Sequence, residues 1–318
     1  MHSQNSKIAS HNEASNFIKM CKSQDTVATI QAMMTRETNY LSQDYLVQLA
    51  PQTSSMLSVD PSCRATMCNW CFQIVDFFKL SRQSVHVAIS CMDRFLSTKE
   101  GLPYLASRSL FQLANVTCLY IAIKVHEPVE LSLSLLIELC RGAYNQEQIL
   151  KTENIVLSAI GWAVNPPSSH EFIRYFIDIL PDKIQEKQRK ELNEIAAHQA
   201  DTALMNYNLS VLCNQSVIAI ASLINALFVT LPEFGSDREI FFAQVAQIAG
   251  TSINVFRVMN VRDELWKSIS PKTISRIGPL DDLNLCTEKD LLKGQVTCHL
   301  YDASIQKTNC GIRVLVVE

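Results

Sequence analysis

The stretch LASRSLFQLANVTCLYIAIKVHE, Leu105 to Glu127, carries no charge from Ser109 to Ile123. At about 100° per residue its apolar side chains cover the whole circumference rather than one stripe: Leu110, Phe111, Leu113, Ala114, Val116, Leu119, Ile121, Ala122 and Ile123. A helix without a solvent face must be surrounded by other helices. At its C-terminal end stands a placed cation, Lys124.

The composition agrees with a helical chain. Only 8 Gly and 10 Pro punctuate 318 residues, and Val/Ile alternation at period two is scarce before the C-terminus. A length of 318 suits two domains. The net charge of −3 gives no basic field for nucleic acid or anionic lipid. Eleven cysteines at irregular spacing, with no secretory signal, read as buried reduced thiols of a protein of the nucleus and cytoplasm. Cys68-Asn69-Trp70-Cys71 lacks the second ligand pair that a zinc site requires, so no metal is expected. Between Thr202 and Pro232 there is no charge, but Asn206, Asn208, Asn214, Gln215 and Asn225 interrupt the run. Its apolar core falls short of the ~20 residues that span a bilayer, so a core helix is expected and no membrane partner.

Working outward from the central helix, the chain divides into residues 1–24, read as disordered, 25–165, 166–270 and a tail, 271–318. Asp25 to Leu41 reads as an amphipathic helix on Val27, Ile30, Met33 and Met34. Asp60-Pro61 then opens a helix to about Phe78, with Asp as N-cap and Pro at the first helical position. A second runs to about Ser97, and the central helix follows Gly101 and Pro103. Ser132 to Arg141 is a fourth, and a capping box at Asn145-Gln-Glu-Gln148 opens a fifth that ends before Gly161. After Pro166-Pro167 the pattern repeats, with openings at Ser168, Asp182, Gln215, Ser236 and Thr251. The uncharged third helix of this block, Gln215 to Leu231, matches the first block's axis. The fold class is all-α, two tandem five-helix bundles with an N-terminal helix and a C-terminal tail. That tail turns β-rich at Gly311-Ile-Arg-Val-Leu-Val-Val-Glu318.

Two charge pairs stand out. Arg64 is the only charge between Asp60 and Asp76, and Asp93 interrupts VAISCMDRFL in the next helix. Arg64 lies 16 residues before the turn at Leu80 and Asp93 lies 13 after it. In an antiparallel hairpin with ~1.5 Å rise their heights differ by about 4–5 Å, so a buried ion pair is expected. Lys124 and Glu153, taken alone, read more simply: a cation favoured at a helix C-terminus and an exposed acid.

The residues so far described resemble a known family. Cys63-Arg-Ala-Thr-Met-Cys-Asn-Trp70, Met92-Asp-Arg-Phe-Leu-Ser97, Cys118 to Glu127, Thr152-Glu153 and Trp162 together resemble the cyclin box of cyclins. MMTRE (Met33–Glu37) and PPSSHEFI (Pro166–Ile173) look most like D-type cyclins. The resemblance implies a regulatory subunit, not itself an enzyme, that binds and activates a cyclin-dependent protein kinase in cell-cycle control. It implies that Lys124 and Glu153 hydrogen-bond the loop before the kinase's αC helix, with Val125, Leu157, Trp162 and Val164 as apolar contacts. That reverses the simpler reading of the two charges. Arg64 and Asp93 match the family's internal ion pair.

A second family site takes Arg-x-Leu substrate or inhibitor peptides, and Met67, Trp70, Arg108 and Gln112 match it. Cys63 and Thr66 replace larger apolar residues there and Gln73 replaces an acid, so weak binding is expected. His126 stands where an acid is common. Arg189-x-x-Leu192 and Arg262-x-x-Leu265 carry destruction-box letters but fall within helices, which discounts them. No phosphate loop, H-E-x-x-H or G-x-S-x-G motif supports an enzyme, and no cofactor is implied. The alternative is a cyclin-fold transcription adaptor resembling general transcription factor IIB, which would need a basic DNA-facing surface.

Overall fold

The computed structural model describes residues 24–49, 59–231, 254–268 and, between the last two, positions 241, 244, 245, 247 and 248. The N-terminal stretch read as disordered, most of the second block's fourth helix and the tail lie outside the described residues. Helix α1 covers 24–37. The others are α2 (Tyr45–Leu49), α3 (Pro61–Phe77), α4 (Gln83–Leu96), α5 (Leu102–Leu105), α6 (Arg108–His126), α7 (Leu133–Leu139) and α8 (Gln146–Ala159). They continue with α9 (Ser169–Asp178), α10 (Glu186–Met205), α11 (Tyr207–Leu212), α12 (Gln215–Thr230) and α13 (Val255–Ser268). No strand occurs among the described residues, so the chain is all-α. No helix among them is long and apolar enough to cross a membrane.

Packing divides the chain into two compact units that do not follow chain order. The first holds Tyr40–Ser168 together with Asp201–Asn214. The second holds the N-terminal helix, Ser169–Ala200 and Gln215–Trp266.

In the first unit α6 is the axis. Every residue from Phe111 to Ile123 is buried, as a helix with no polar face requires. Its chief neighbour is α4, with α3, α5 and α8 closing the rest. Polar groups inside find partners: Cys71 Sγ donates to Asn115 Oδ1 at 3.1 Å, and Asn115 Nδ2 donates to Met92 Sδ at 3.1 Å. Local signals set the helix starts. Asp60 Oδ1 accepts from the Cys63 amide at 2.8 Å, and Asn145 and Gln148 form a reciprocal capping box, each bond 2.9 Å. Gly101 permits the approach of α5 to α4, since a Cβ there would meet the Phe95 carbonyl and lie 2.7 Å from Leu96 Cα.

In the second unit α12 is the axis, buried from Ser216 to Leu227, and packs on α9, whose buried Phe172 and Phe176 stack on each other. Buried Glu37, from α1, caps it. Its two carboxylate oxygens accept from Ser216 N at 2.9 Å and Ser216 Oγ at 2.7 Å. Helix α10 opens at Glu186 rather than near Asp182, with the Gln188 side chain on the Gln185 amide at 3.0 Å. The reason is Arg189. Its guanidinium donates to the carbonyls of Ile177, Leu180, Pro181 and Ile184, so the connection is held as a turn. Those bonds also occupy the first letter of that destruction-box match. The second difference is α11: Asn206 breaks the long helix and caps the next, accepting from Leu209 N at 3.3 Å.

Candidate functional site

The end of α6 and the middle of α8 meet at a rim of the first unit. Lys124 Nζ donates to Glu153 Oε1 at 2.8 Å. The lysine side chain is 37% exposed and the glutamate 12%, so the acid is set into the surface and the cation lies over it. Tyr120, one turn earlier on α6, puts its buried ring 4.9 Å from the ammonium. The Glu153 hydrogen bond, against some desolvation, holds the Lys124 pKa above its ordinary value, so the ammonium stays charged at neutral pH. Only one of three ammonium donors is used within this pair, and Glu153 Oε2 has no hydrogen bond among the described residues.

Apolar groups flank the pair. Val125 is 50% exposed and Trp162 65%, Val164 is half-buried, and Leu157 is buried one turn beyond Glu153 on α8. Trp162 has φ 60, directly after Gly161 at φ 62, and its amide donates to Leu157 O at 2.9 Å. That bond closes α8 and turns the chain out, leaving the indole in solvent. Buried Arg94 donates to the Ala163 carbonyl at 2.6 Å, and His126 Nε2 lies 3.3 Å from the Val164 carbonyl. Sequence reading passed over Arg94, because Asp93 beside it absorbed the attention as the interrupting charge. A cation bound to carbonyls leaves no opposing acid in the sequence to betray it.

The structural pair joins α3 to α4. Arg64, 1% exposed, donates Nε to Asp93 Oδ1 at 2.9 Å and Nη2 to Asp93 Oδ2 at 2.7 Å. Its other donations go to Leu204 O at 2.7 Å and Ser210 Oγ at 2.6 Å, and the Tyr45 hydroxyl donates to Asp93 Oδ1 at 3.0 Å. Burial opposes the guanidinium charge, but the charge and bonds of Asp93 outweigh it and raise the pKa. Burial first, then Asp93, pushes the Tyr45 phenol up, so it stays a donor. Arg82 ties in the same late segment, forking Asp76 at 2.9 and 2.6 Å and reaching Asp201 Oδ2 at 2.9 Å. Glu127, just past α6, accepts from the Ser81 amide at 2.9 Å and from the Ser84 hydroxyl, fixing the start of α4.

Of the residues matching a peptide-docking patch, Met67, Trp70 and Gln112 are all more than nine-tenths buried, and Arg108 is exposed. Gln112 Oε1 accepts from Tyr144 OH at 3.2 Å, while the buried Trp70 indole N–H has no acceptor among the described residues. Cys68 and Cys71 are fully buried, and burial pushes the Cys68 thiol up to about 12.

Comparison with known proteins gives this arrangement a lineage. Residues 28–165 match the family described as Cyclin, N-terminal domain. Cyclin-B1-5 of Oryza sativa subsp. japonica is 28% identical over 168 residues, 53% of this chain and 35% of that protein. G1/S-specific cyclin-E of Hemicentrotus pulcherrimus is 28% identical over 135 residues, 41% of this chain and 31% of that protein. The matched region is thus about a third of each relative's length. A viral cyclin from herpesvirus saimiri shares the fold at a TM-score of 0.53 and 18% identity, covering 66% of this chain and 87% of the viral one. The axis helix and the buried Arg64–Asp93 fork both lie within the stretch, residues 28–165, that is similar to the cyclin N-terminal domain.

Proposed function

We propose that the chain is the regulatory subunit of a cyclin-dependent protein kinase in cell-cycle control, supplying a binding rim rather than a catalytic group. The observation that carries this reading is the Lys124–Glu153 pair, 2.8 Å apart at the edge of the first unit beside exposed Val125 and Trp162. A donor-rich ammonium next to a carboxylate with a spare oxygen suits the backbone amides and carbonyls of a loop, and the apolar neighbours exclude water around them. The kinase's αC helix would be held inward by this grip, so that its own Lys–Glu pair can hold the ATP phosphates. Leu157 and Val164 back the contact from below. Arg108, with Met67, Trp70 and Gln112 behind it, is the proposed docking patch for substrate or inhibitor peptides.

The test is pull-down of a purified cyclin-dependent kinase by wild type and by Lys124→Ala with Glu153→Ala. Loss of a desolvated, hydrogen-bonded interface charge costs ~2–5 kcal/mol, so the double variant should fail to retain the kinase. Full binding by a double variant with native circular dichroism overturns the reading.

A further inference from the structure

Three consecutive carbonyls after α8 are all engaged. Trp162 O accepts from the Val164 amide at 3.0 Å, Ala163 O from Arg94 Nη2 at 2.6 Å, and Val164 O lies 3.3 Å from His126 Nε2. The amides are used as well: Gly161 donates to Ser158 O at 3.2 Å, Trp162 to Leu157 O at 2.9 Å and Ala163 to Ile160 O at 3.3 Å. Buried Pro166 and Pro167 follow and fix the exit. The backbone is closed on itself, yet the largest side chain in the segment is left 65% in water.

Two further features make this unusual. Trp162 holds a left-handed backbone, φ 60, which residues with a Cβ rarely adopt unless surrounding structure imposes it. Arg94, 8% exposed, spends a guanidinium on the Ala163 and Ser90 carbonyls, the Cys91 sulfur and the Tyr40 ring, 4.8 Å away. None of these is a carboxylate. A buried cation given over to holding a loop is costly unless the loop's shape matters. A rigid exposed indole is the anchor that protein interfaces use, because its freedom is already lost before binding.

We propose that Arg94 and His126 are positioning residues that hold Trp162 as a preformed post for an apolar recess on the bound partner. This rests on reading the Lys124–Glu153 rim as the kinase contact and goes beyond it, because it assigns the shaping of the rim to two residues that do not touch the partner.

The experiment reads the lock in the free chain and its effect in the complex. Full-length protein carrying 5-fluorotryptophan gives one 19F resonance for each of three tryptophans, and Trp162→Phe assigns the one at 162. Arg94→Gln should narrow that resonance as the indole gains motion, and His126→Ala should do the same while removing a single hydrogen bond at a half-buried site. Against the purified kinase, Trp162→Ala should weaken binding by about tenfold or more, and Arg94→Gln by a similar factor. In a Trp162→Ala background Arg94→Gln should add nothing. An unchanged 162 line width in both anchor variants overturns the proposal, as does an Arg94→Gln effect that adds in full to that of Trp162→Ala. Binding indifferent to Trp162→Ala and to Lys124→Ala with Glu153→Ala would instead sink the kinase reading, and the free-chain spectra would still decide the lock.

Discussion

Replacing Arg64 by alanine removes four hydrogen bonds and a buried charge in one step. Two of the bonds go to Asp93, one to Leu204 O and one to Ser210 Oγ, and the Tyr45 bond to Asp93 that remains must then serve a carboxylate without its cation. With Arg64 and Asp93 1% and 2% exposed, water cannot replace what is lost. Breaking one side of such a pair costs ~3–5 kcal/mol. At about 2–4 °C per kcal/mol for a chain of ~150–250 residues, a loss near 4 kcal/mol lowers the melting temperature by roughly 8–16 °C. The assay is thermal unfolding by circular dichroism, paired with hydrogen exchange, because Arg64 also clamps residues 201–214. Amides of that segment should exchange faster in the variant than those of α6. The second arm replaces both partners, Arg64→Met with Asp93→Leu. Removing both charges relieves the orphaned one, so the double variant should recover most of the lost stability. A melting temperature within 1–2 °C of wild type for Arg64→Ala, on that ~4 kcal/mol scale, would refute the reasoning.

Three further outcomes are expected. Glu37→Ala leaves the Ser216 amide and hydroxyl, in the first turn of α12, without their acceptor, at a cost of ~1–3 kcal/mol; exchange should accelerate over residues 24–37, and unaltered protection there would count against the cap. Cys68 and Cys140 thiols are pushed up by burial to about 12, so the folded chain keeps protons that the unfolded chain sheds above its ordinary ~8.5. Stability should therefore fall as the pH rises through the ordinary thiol range toward about 12, and a flat urea midpoint across that range would contradict it. Iodoacetamide at pH 8 should likewise label half-buried Cys213 before any of the fully buried Cys68, Cys71, Cys91 and Cys118, read by peptide mass spectrometry.

How legible all this was depends on how local the signal is. The axis helix announced itself, because an uncharged run with apolar residues on every side has one structural meaning, and α6 is buried accordingly from Phe111 to Ile123. Asp60-Pro61 and Asn145 with Gln148 act within one turn, so their caps could be read from spacing. The meeting of Lys124 with Glu153 could not, since 29 residues and another helix separate them. Their pairing rests on tertiary packing that no periodicity reports. Asp182 misled for a related reason: the turn after α9 is held by a guanidinium that arrives from Arg189, downstream of the turn it fixes. Asn206 looked like one more interruption in an uncharged run near the end of a helix read to about Tyr207, and only the backbone shows that it opens a further short helix.

The clamp on Arg64 also sets a timetable. Ser210, one of its partners, comes 146 residues later in the chain. At roughly 5–20 residues per second, a ribosome delivers it about 7–30 s after Arg64 has emerged. Until then a guanidinium destined for the interior has only half its acceptors. The strap is therefore made only after helices α2 to α8 are complete. Cutting the gene at the proline linker would yield a fragment with those helices but without α11, and with an unfinished interior.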